Sequence, residues 1–197
     1  MVNKPKNKGT AGESAVVAYL RTAGFPYAER LALQGSADRG DITGIPGIVI
    51  EVKAVQEYAF NAWLKEARAE RDNAGADFGI VVAKPRLVGT TRTGQWYGLM
   101  YAYDYLALID AAAKATQSPI EVWTRQAAGI SYATTIARDL KMAQADQAAA
   151  GVSHSCVRIA PKGQKDTSLF YVVTTLEQIA DLLVRAGYGR RDDEPGA

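Results

Sequence analysis

The chain has 197 residues, 48% of them apolar and 22% charged, with a formal net charge of +2. This is the composition of a soluble globular protein with ample material for a core, in one large domain or a domain with a smaller appended unit. The single cysteine, Cys156, excludes an intrachain disulfide and a multi-cysteine zinc site. The single histidine, His154, excludes the paired-ligand motifs of zinc deaminases and zinc proteases, and reads as structural or merely exposed.

No G-x-S-x-G, G-x-x-x-x-G-K-[ST] or G-x-G-x-x-G occurs, which removes three common catalytic and nucleotide-binding frameworks. There is no signal peptide and no apolar run approaching the roughly 18 residues of a membrane helix, so a reduced, cytoplasmic setting is expected.

The first eight residues carry Lys4, Lys6 and Lys8 and no acid. They read as a solvated basic arm able to touch phosphates, and both chain ends read as disordered. Gly12–Arg21 has the apolar spacing of a helix, stopped by Gly24. Strands are expected near Tyr27–Leu33, at Asp41–Thr43 and at Ile48–Val55, with the turn chemistry of Thr43-Gly44-Ile45-Pro46-Gly47 between the last two. Phe60–Ala74 is rich in alanine and alternating charge and reads as a helix. Gly79–Ala83 and Trp96–Met100 read as strands, and Tyr103–Ala115 as a helix. Strands interleaved with helices predict an α/β sandwich around one mixed sheet.

A second series follows: strand Ile120–Thr124, helix Tyr132–Ala150, strands Ser155–Ala160 and Leu169–Thr174, and helix Leu176–Ala186. Shifted by 76 positions, Leu64-Lys65 falls on Leu140-Lys141, Ala74-Gly75 on Ala150-Gly151, Val81 on Val157 and Pro85 on Pro161. With a slightly smaller shift, Trp96-Tyr97 falls on Phe170-Tyr171. Residues 116–197 therefore read as a C-terminal α/β extension to a first domain of residues 1–115. It is either a degenerate half-repeat or two units alike only in composition. In the first case Ile120-Glu121-Val122 answers Ile50-Glu51-Val52, and Trp123 stands where Lys53 stands.

The chemistry concentrates in Asp41, Glu51 and Lys53. Side chains alternate along a strand, so Glu51 and Lys53 share one face while Ile50 and Val52 feed the core. In a hairpin turned at Pro46, Asp41 sits opposite Glu51, and opposed residues hold their Cβ atoms roughly 4.5–5.5 Å apart. Two carboxylates at that separation repel unless they share a hard cation. Mg2+, with Mn2+ as a substitute, suits carboxylate oxygens and retains water for chemistry. The Val52 carbonyl is a third candidate ligand. Lys53 beside it could orient or deprotonate an attacking water and stabilise charge on a scissile phosphate. Glu13, just before the amphipathic part of the first helix, could return to the same metal. Alternatively, it serves only the helix dipole.

Taken together, Gly12-Glu13, Gly24-Phe25, Arg30, Ser36-Ala37-Asp38-Arg39-Gly40-Asp41 and Ile50-Glu51-Val52-Lys53 resemble the archaeal-type Holliday junction resolvases. These are PD-(D/E)XK nucleases of which similar proteins occur in phages. The likeness spans roughly residues 8–84. It implies a restriction-endonuclease-like mixed sheet flanked by helices and Mg2+-dependent hydrolysis of branched DNA. It also implies a homodimer that nicks two strands symmetrically. On this resemblance Glu13, Asp41 and Glu51 bind metal, Lys53 is catalytic, Arg30 contacts backbone phosphate, and Ser36 and Arg39 lie on a loop at the DNA. Ser14 follows Glu13 where many such resolvases carry arginine. Asp38 is the alternative metal aspartate; the hairpin geometry favours Asp41.

Beyond that motif set, Lys84, Arg86 and Arg92 flank the next strand without neighbouring acids and are candidates for phosphate contacts. Arg68 and Arg71 share a helix face with Glu66 and Glu70 close by, which reads as a charge-paired surface. Trp96, Tyr97, Tyr101, Tyr103 and Tyr105 read as core or interface aromatics.

Overall fold

The computed structural model describes residues 4–31, 39–127 and 132–189. Helix α1 spans Lys4–Thr22, and the short strands β1 (Glu29–Arg30) and β2 (Ile42–Thr43) precede β3 (Ile48–Lys53). Then come α2 (Phe60–Ala74), β4 (Phe78–Ala83), β5 (Tyr97–Tyr101) and α3 (Ala102–Thr116). The remainder is β6 (Val122–Gln126), α4 (Tyr132–Ala150), β7 (His154–Ile159), β8 (Tyr171–Thr175) and α5 (Leu176–Arg185).

Two elements depart most from the expected boundaries. α1 begins within the segment read as a disordered arm, with Pro5 in its first turn. Proline is tolerated there because its missing N–H would have no helical partner and its φ is already helical. The strand expected at Tyr27–Leu33 narrows to Glu29–Arg30, and Ser36 and Asp38 lie outside the described residues, as does the end of the chain from 190.

All eight strands form one mixed sheet in the order β1-β2-β3-β4-β5-β8-β7-β6. The first domain and the extension therefore share a sheet, joined by the antiparallel pair β5–β8. Each side of that junction repeats one plan: a strand, a helix, a parallel strand, an antiparallel strand and a closing helix.

The register makes the repeat concrete. One row runs across the sheet through Glu51, Val81, Leu99, Val173, Val157 and Arg125. Its centre is the Leu99–Val173 pair, and each half mirrors the other about it. An antiparallel pair has a local two-fold axis normal to the sheet, so corresponding helices must fall on the same face.

They do. On one face Phe60, Leu64 and Ala67 of α2 and Ile136, Leu140 and Ala143 of α4 pack over Val81, Leu99, Val157 and Val173. Each α4 residue in that set lies 76 positions after its α2 counterpart. Both helices stop at a glycine with positive φ, Gly75 at 62° and Gly151 at 69°, the left-handed conformation that ends a helix with least strain. On the other face α1, α3 and α5 cover Ile50, Val52, Ile80, Val82, Met100 and Val172. The period-2 alternation predicted for β3 is thus realised, with β4 alongside it, as two cores on opposite sides of one sheet.

The ladder corrects one alignment. Arg125 holds the row position of Glu51, and Ala127, whose N–H bonds the Arg158 carbonyl at 3.0 Å, follows at the place of Lys53. Glu121 and Trp123 do not. The likeness of Ile120-Glu121-Val122 to Ile50-Glu51-Val52 is local, whereas pairing with β7 decides which residue faces α4.

Candidate metal centre and nucleic-acid surface

The hairpin places Asp41. Gly40 before it has φ of 86°, and a Cβ there would meet Val49 Cγ1 at 2.8 Å and the Ile50 carbonyl oxygen at 3.0 Å, so a side chain is excluded. The Asp41 N–H donates to the Ile50 carbonyl at 2.9 Å, and its own carbonyl accepts from the Leu31 N–H at 2.8 Å. Ile42 pairs with Ile50, the register that a turn at Pro46 predicts. Asp41 Oδ2 accepts the Val52 N–H at 2.8 Å. In a strand the N–H and C=O of one residue leave by the same edge, so the Val52 carbonyl also faces the Asp41 side, away from the β4 ladder.

Glu51 projects from the α2 face of β3 and is 8% exposed. Burial first, then the charge of Asp41, push its carboxyl up to about 8, with Glu70 adding to the rise and the Lys53 ammonium opposing it. Asp41 is raised as well, by burial and by Glu13, against the Val52 hydrogen bond that lowers it. Asp41 raises Glu51, whereas the hydrogen bond between them lowers Asp41, so the rise of Asp41 is owed to burial and to Glu13. Lys53 lies two residues on, its Nζ 2.5 Å from Glu51 Oε1 and 2.7 Å from Glu66 Oε2. Burial lowers its affinity for a proton, but the bonds to Glu51 and Glu66 outweigh this and hold it protonated.

Two of these residues were misread from sequence. Glu66 and Glu70 turn towards β3, and their carboxylate oxygens and one from Glu51 lie within 4.8 Å of each other. They do not balance Arg71, which instead bonds Asp72 at 2.7 Å and Asp104 at 3.2 Å. The clue was periodicity: Glu70 falls on the stripe of Phe60, Trp63, Leu64 and Ala67, and a carboxylate on a buried stripe calls for a partner. The donors are all hard carboxylate oxygens, and the charge they gather is uncompensated by Lys53 alone. Donors of this kind suit a divalent cation such as Mg2+, and Glu51, Glu66 and Glu70 are near enough to one another to share one.

Glu13 approaches from α1 and is near enough to raise Asp41, yet its Oε2 accepts both Nη2 and Nε of Arg30, at 2.6 and 2.8 Å. Arg30 is therefore placed against an acid of the site. Arg39 is exposed beside the hairpin. Arg86 is pinned by its guanidinium to the Gln56 carbonyl at 2.8 Å, and Arg92 to the Leu87 carbonyl at 3.3 Å. Lys84 is half-buried, its N–H on the Lys53 carbonyl at 2.9 Å. Of the expected set, the structure gathers Glu13, Asp41, Glu51, Lys53 and the Val52 backbone at one end of the β2–β3 hairpin, and leaves Arg86 and Arg92 tied to loop carbonyls.

The remaining singular residues are structural. Trp96, Tyr97, Tyr101 and Tyr105 are buried. His154 is buried between Ser153 Oγ, 2.8 Å from Nδ1, and Asp181 Oδ2, 3.0 Å from Nε2, and Cys156 is buried and free. Among the described residues no helix is long and apolar enough to cross a membrane. Comparison of the chain with family models, with curated proteins and with solved structures finds no match in any of the three.

Proposed function

We propose that this chain is a Mg2+-dependent, structure-selective DNA endonuclease with a PD-(D/E)XK centre on a restriction-endonuclease-like sheet, its most specific reading being resolution of Holliday junctions. One observation carries the reading: Asp41, Glu51 and Lys53 converge at a hairpin end, with Val52 tied to Asp41 between them. A bound Mg2+ would supply an activated water and neutralise charge on a phosphate. Asp41 and Glu51 would hold the cation from two adjacent strands, with the Val52 carbonyl edge on the same side. Glu70 fixes the charge of the site from beneath.

Lys53 is protonated here and paired with Glu66. It orients the attacking water and stabilises negative charge on the phosphate, while the water's proton passes to solvent or to a carboxylate. Glu13 keeps Arg30 at the mouth, where a phosphate can compete for the guanidinium.

The test is cleavage of a labelled four-way junction beside matched linear duplex, with Mg2+ or EDTA, for wild type, Asp41→Asn and Glu51→Gln. Metal-dependent nicks on the junction alone, lost in both variants while binding persists, are expected. Equal cutting of duplex keeps the nuclease and removes junction selectivity, pointing to a restriction- or repair-like enzyme. Binding without cutting in the wild type turns the reading into a DNA-binding protein.

A further inference from the structure

Three of the cations that the sequence singles out for phosphate contact are engaged elsewhere: Arg30 bonds Glu13, and Arg86 and Arg92 bond loop carbonyls. A second group, none of it in that set, is not. Lys65 and Arg68 of α2 and Lys162 of the β7–β8 loop line one open cavity of about 420 Å3, and no acid is among its lining residues. All three are exposed, and none has an ion pair among the described residues. Asp104 feels the charge of Arg68, but Arg71 bonds it at 3.2 Å. Like charges gathered around a concavity without an acid focus positive potential into it and draw in anions.

The cavity shares a sheet face with the candidate metal centre but lies across α2 from it. Its deep wall is Tyr101 and Tyr171, which belong to the same core as Phe60, Leu64 and Ala67 and pair across the β5–β8 junction. Glu66 reaches Lys53 from one flank of α2. Arg68, two residues on, leaves the helix roughly 200° further round, on the other flank. Helix α2 is thus a ridge, about 10–12 Å wide with its side chains, that has carboxylates on one flank and uncompensated cations on the other. That width spans about three steps of 3.4 Å along one DNA strand.

The walls also say which part of a nucleic acid fits. Tyr101 and Tyr171 are buried and packed edge to face, with centroids 6.0 Å apart, so neither presents an open ring for a base to stack on. Charge is what the cavity offers. An open groove of separate cations suits successive backbone phosphates, which position a duplex and carry no sequence information.

We propose that this cavity is a backbone-phosphate site for duplex DNA that crosses α2 from the metal centre, held by Lys65, Arg68 and Lys162 without regard to sequence. It rests on the nucleic-acid reading of the centre and adds the path that the DNA takes past it.

The test uses the full chain in EDTA, with a labelled four-way junction, a linear duplex of unrelated sequence, and ATP as a compact polyphosphate. Arg68→Gln and Lys162→Gln should each weaken binding of both DNAs several-fold near physiological salt. Each should also lower the slope of log K against log salt by about 0.9, the value for one lost phosphate contact. Lys114→Gln, which removes the same charge from the exposed surface of α3 on the opposite face of the sheet, should change neither quantity. Cavity variants that bind DNA as Lys114→Gln does overturn the proposal, even where the protein cuts DNA. Loss of ATP binding with DNA binding intact overturns it too, and makes the cavity a site for a compact phosphorylated ligand. A loss confined to one of the two DNA sequences overturns the backbone reading. A wild type that binds neither DNA overturns the proposal together with the function it rests on. Binding weakened as expected in a protein that cuts nothing in Mg2+ removes the nuclease reading and leaves the phosphate site standing.

Discussion

The first half of the sheet concentrates like charge and the second disperses it, on the same backbone plan. Glu51, Asp41 and Glu70 sit together under burial that raises both Glu51 and Asp41, whereas Arg125 sits between Asp139 and Asp146. A folded chain keeps a cluster of the first kind only against a cost, since the crowded carboxylates lose hydration and Lys53 bonds only Glu51 among them. The second cluster is what such a position becomes once no external cation is needed. The comparison separates what the fold requires, a filled polar position over the row, from what the proposed chemistry requires, an uncompensated one.

The largest expected effect is on that chemistry. Glu51→Gln should lower Mg2+-dependent cleavage on the order of 100-fold or more, as expected for a metal ligand, while Arg125→Gln leaves the cleavage rate within about twofold, since it lies outside the centre. Equal losses would break the assignment of chemistry to one half.

Next comes the junction. Leu99 is fully buried at the centre of the row, so Leu99→Ala should cost about 3 kcal/mol. Because both cores span both halves, calorimetry should show one transition moved down. Two separated transitions would mean that the halves unfold independently.

Arg125→Ala should then cost about 2 kcal/mol, because it strips the buried Asp139 of one partner. Arg138, 3.3 Å from Asp139, limits the loss.

Titration separates the halves by sign. Glu51 is raised to about 8 from an ordinary 4.5, so the folded metal-free protein keeps a proton that the unfolded chain has released. Stability contributed by this group is complete below about 4.5 and is lost as pH rises towards 8. Thermal melts in EDTA should show this fall, and Mg2+ should abolish it. His154 is lowered from its ordinary 6.5 mainly by burial, with Asp181 opposing. Its contribution is therefore present above 6.5 and lost as pH falls below that value, a dependence that His154→Gln should flatten.

The smallest effect belongs to an exposed pair far from both clusters. Lys114 and Asp110 approach to 2.6 Å on the surface of α3, and Lys114→Ala should change stability by less than about 0.5 kcal/mol.

Much of this was legible in the residues. Alternation in Ile48–Lys53 sends Glu51 and Lys53 to one face, the turn at Pro46 brings Asp41 beside them, and the alanine-rich, alternately charged run Phe60–Ala74 delimits α2 to its last residue. These are short-range consequences of period and turn chemistry, which the chain carries locally. Which acids approach Glu51 was decided by packing: Glu66 and Glu70 look like surface partners for Arg68 and Arg71 until α2 docks on β3, which buries Glu70 and brings the exposed Glu66 to Lys53. The relation of the two halves was decided the same way. Sequence shifts suggest a repeat, but only the ladder through Leu99 and Val173 shows that Arg125, not a residue of the Ile-Glu-Val segment, answers Glu51. Strand register depends on pairing between segments far apart in the chain, so no local pattern can determine it.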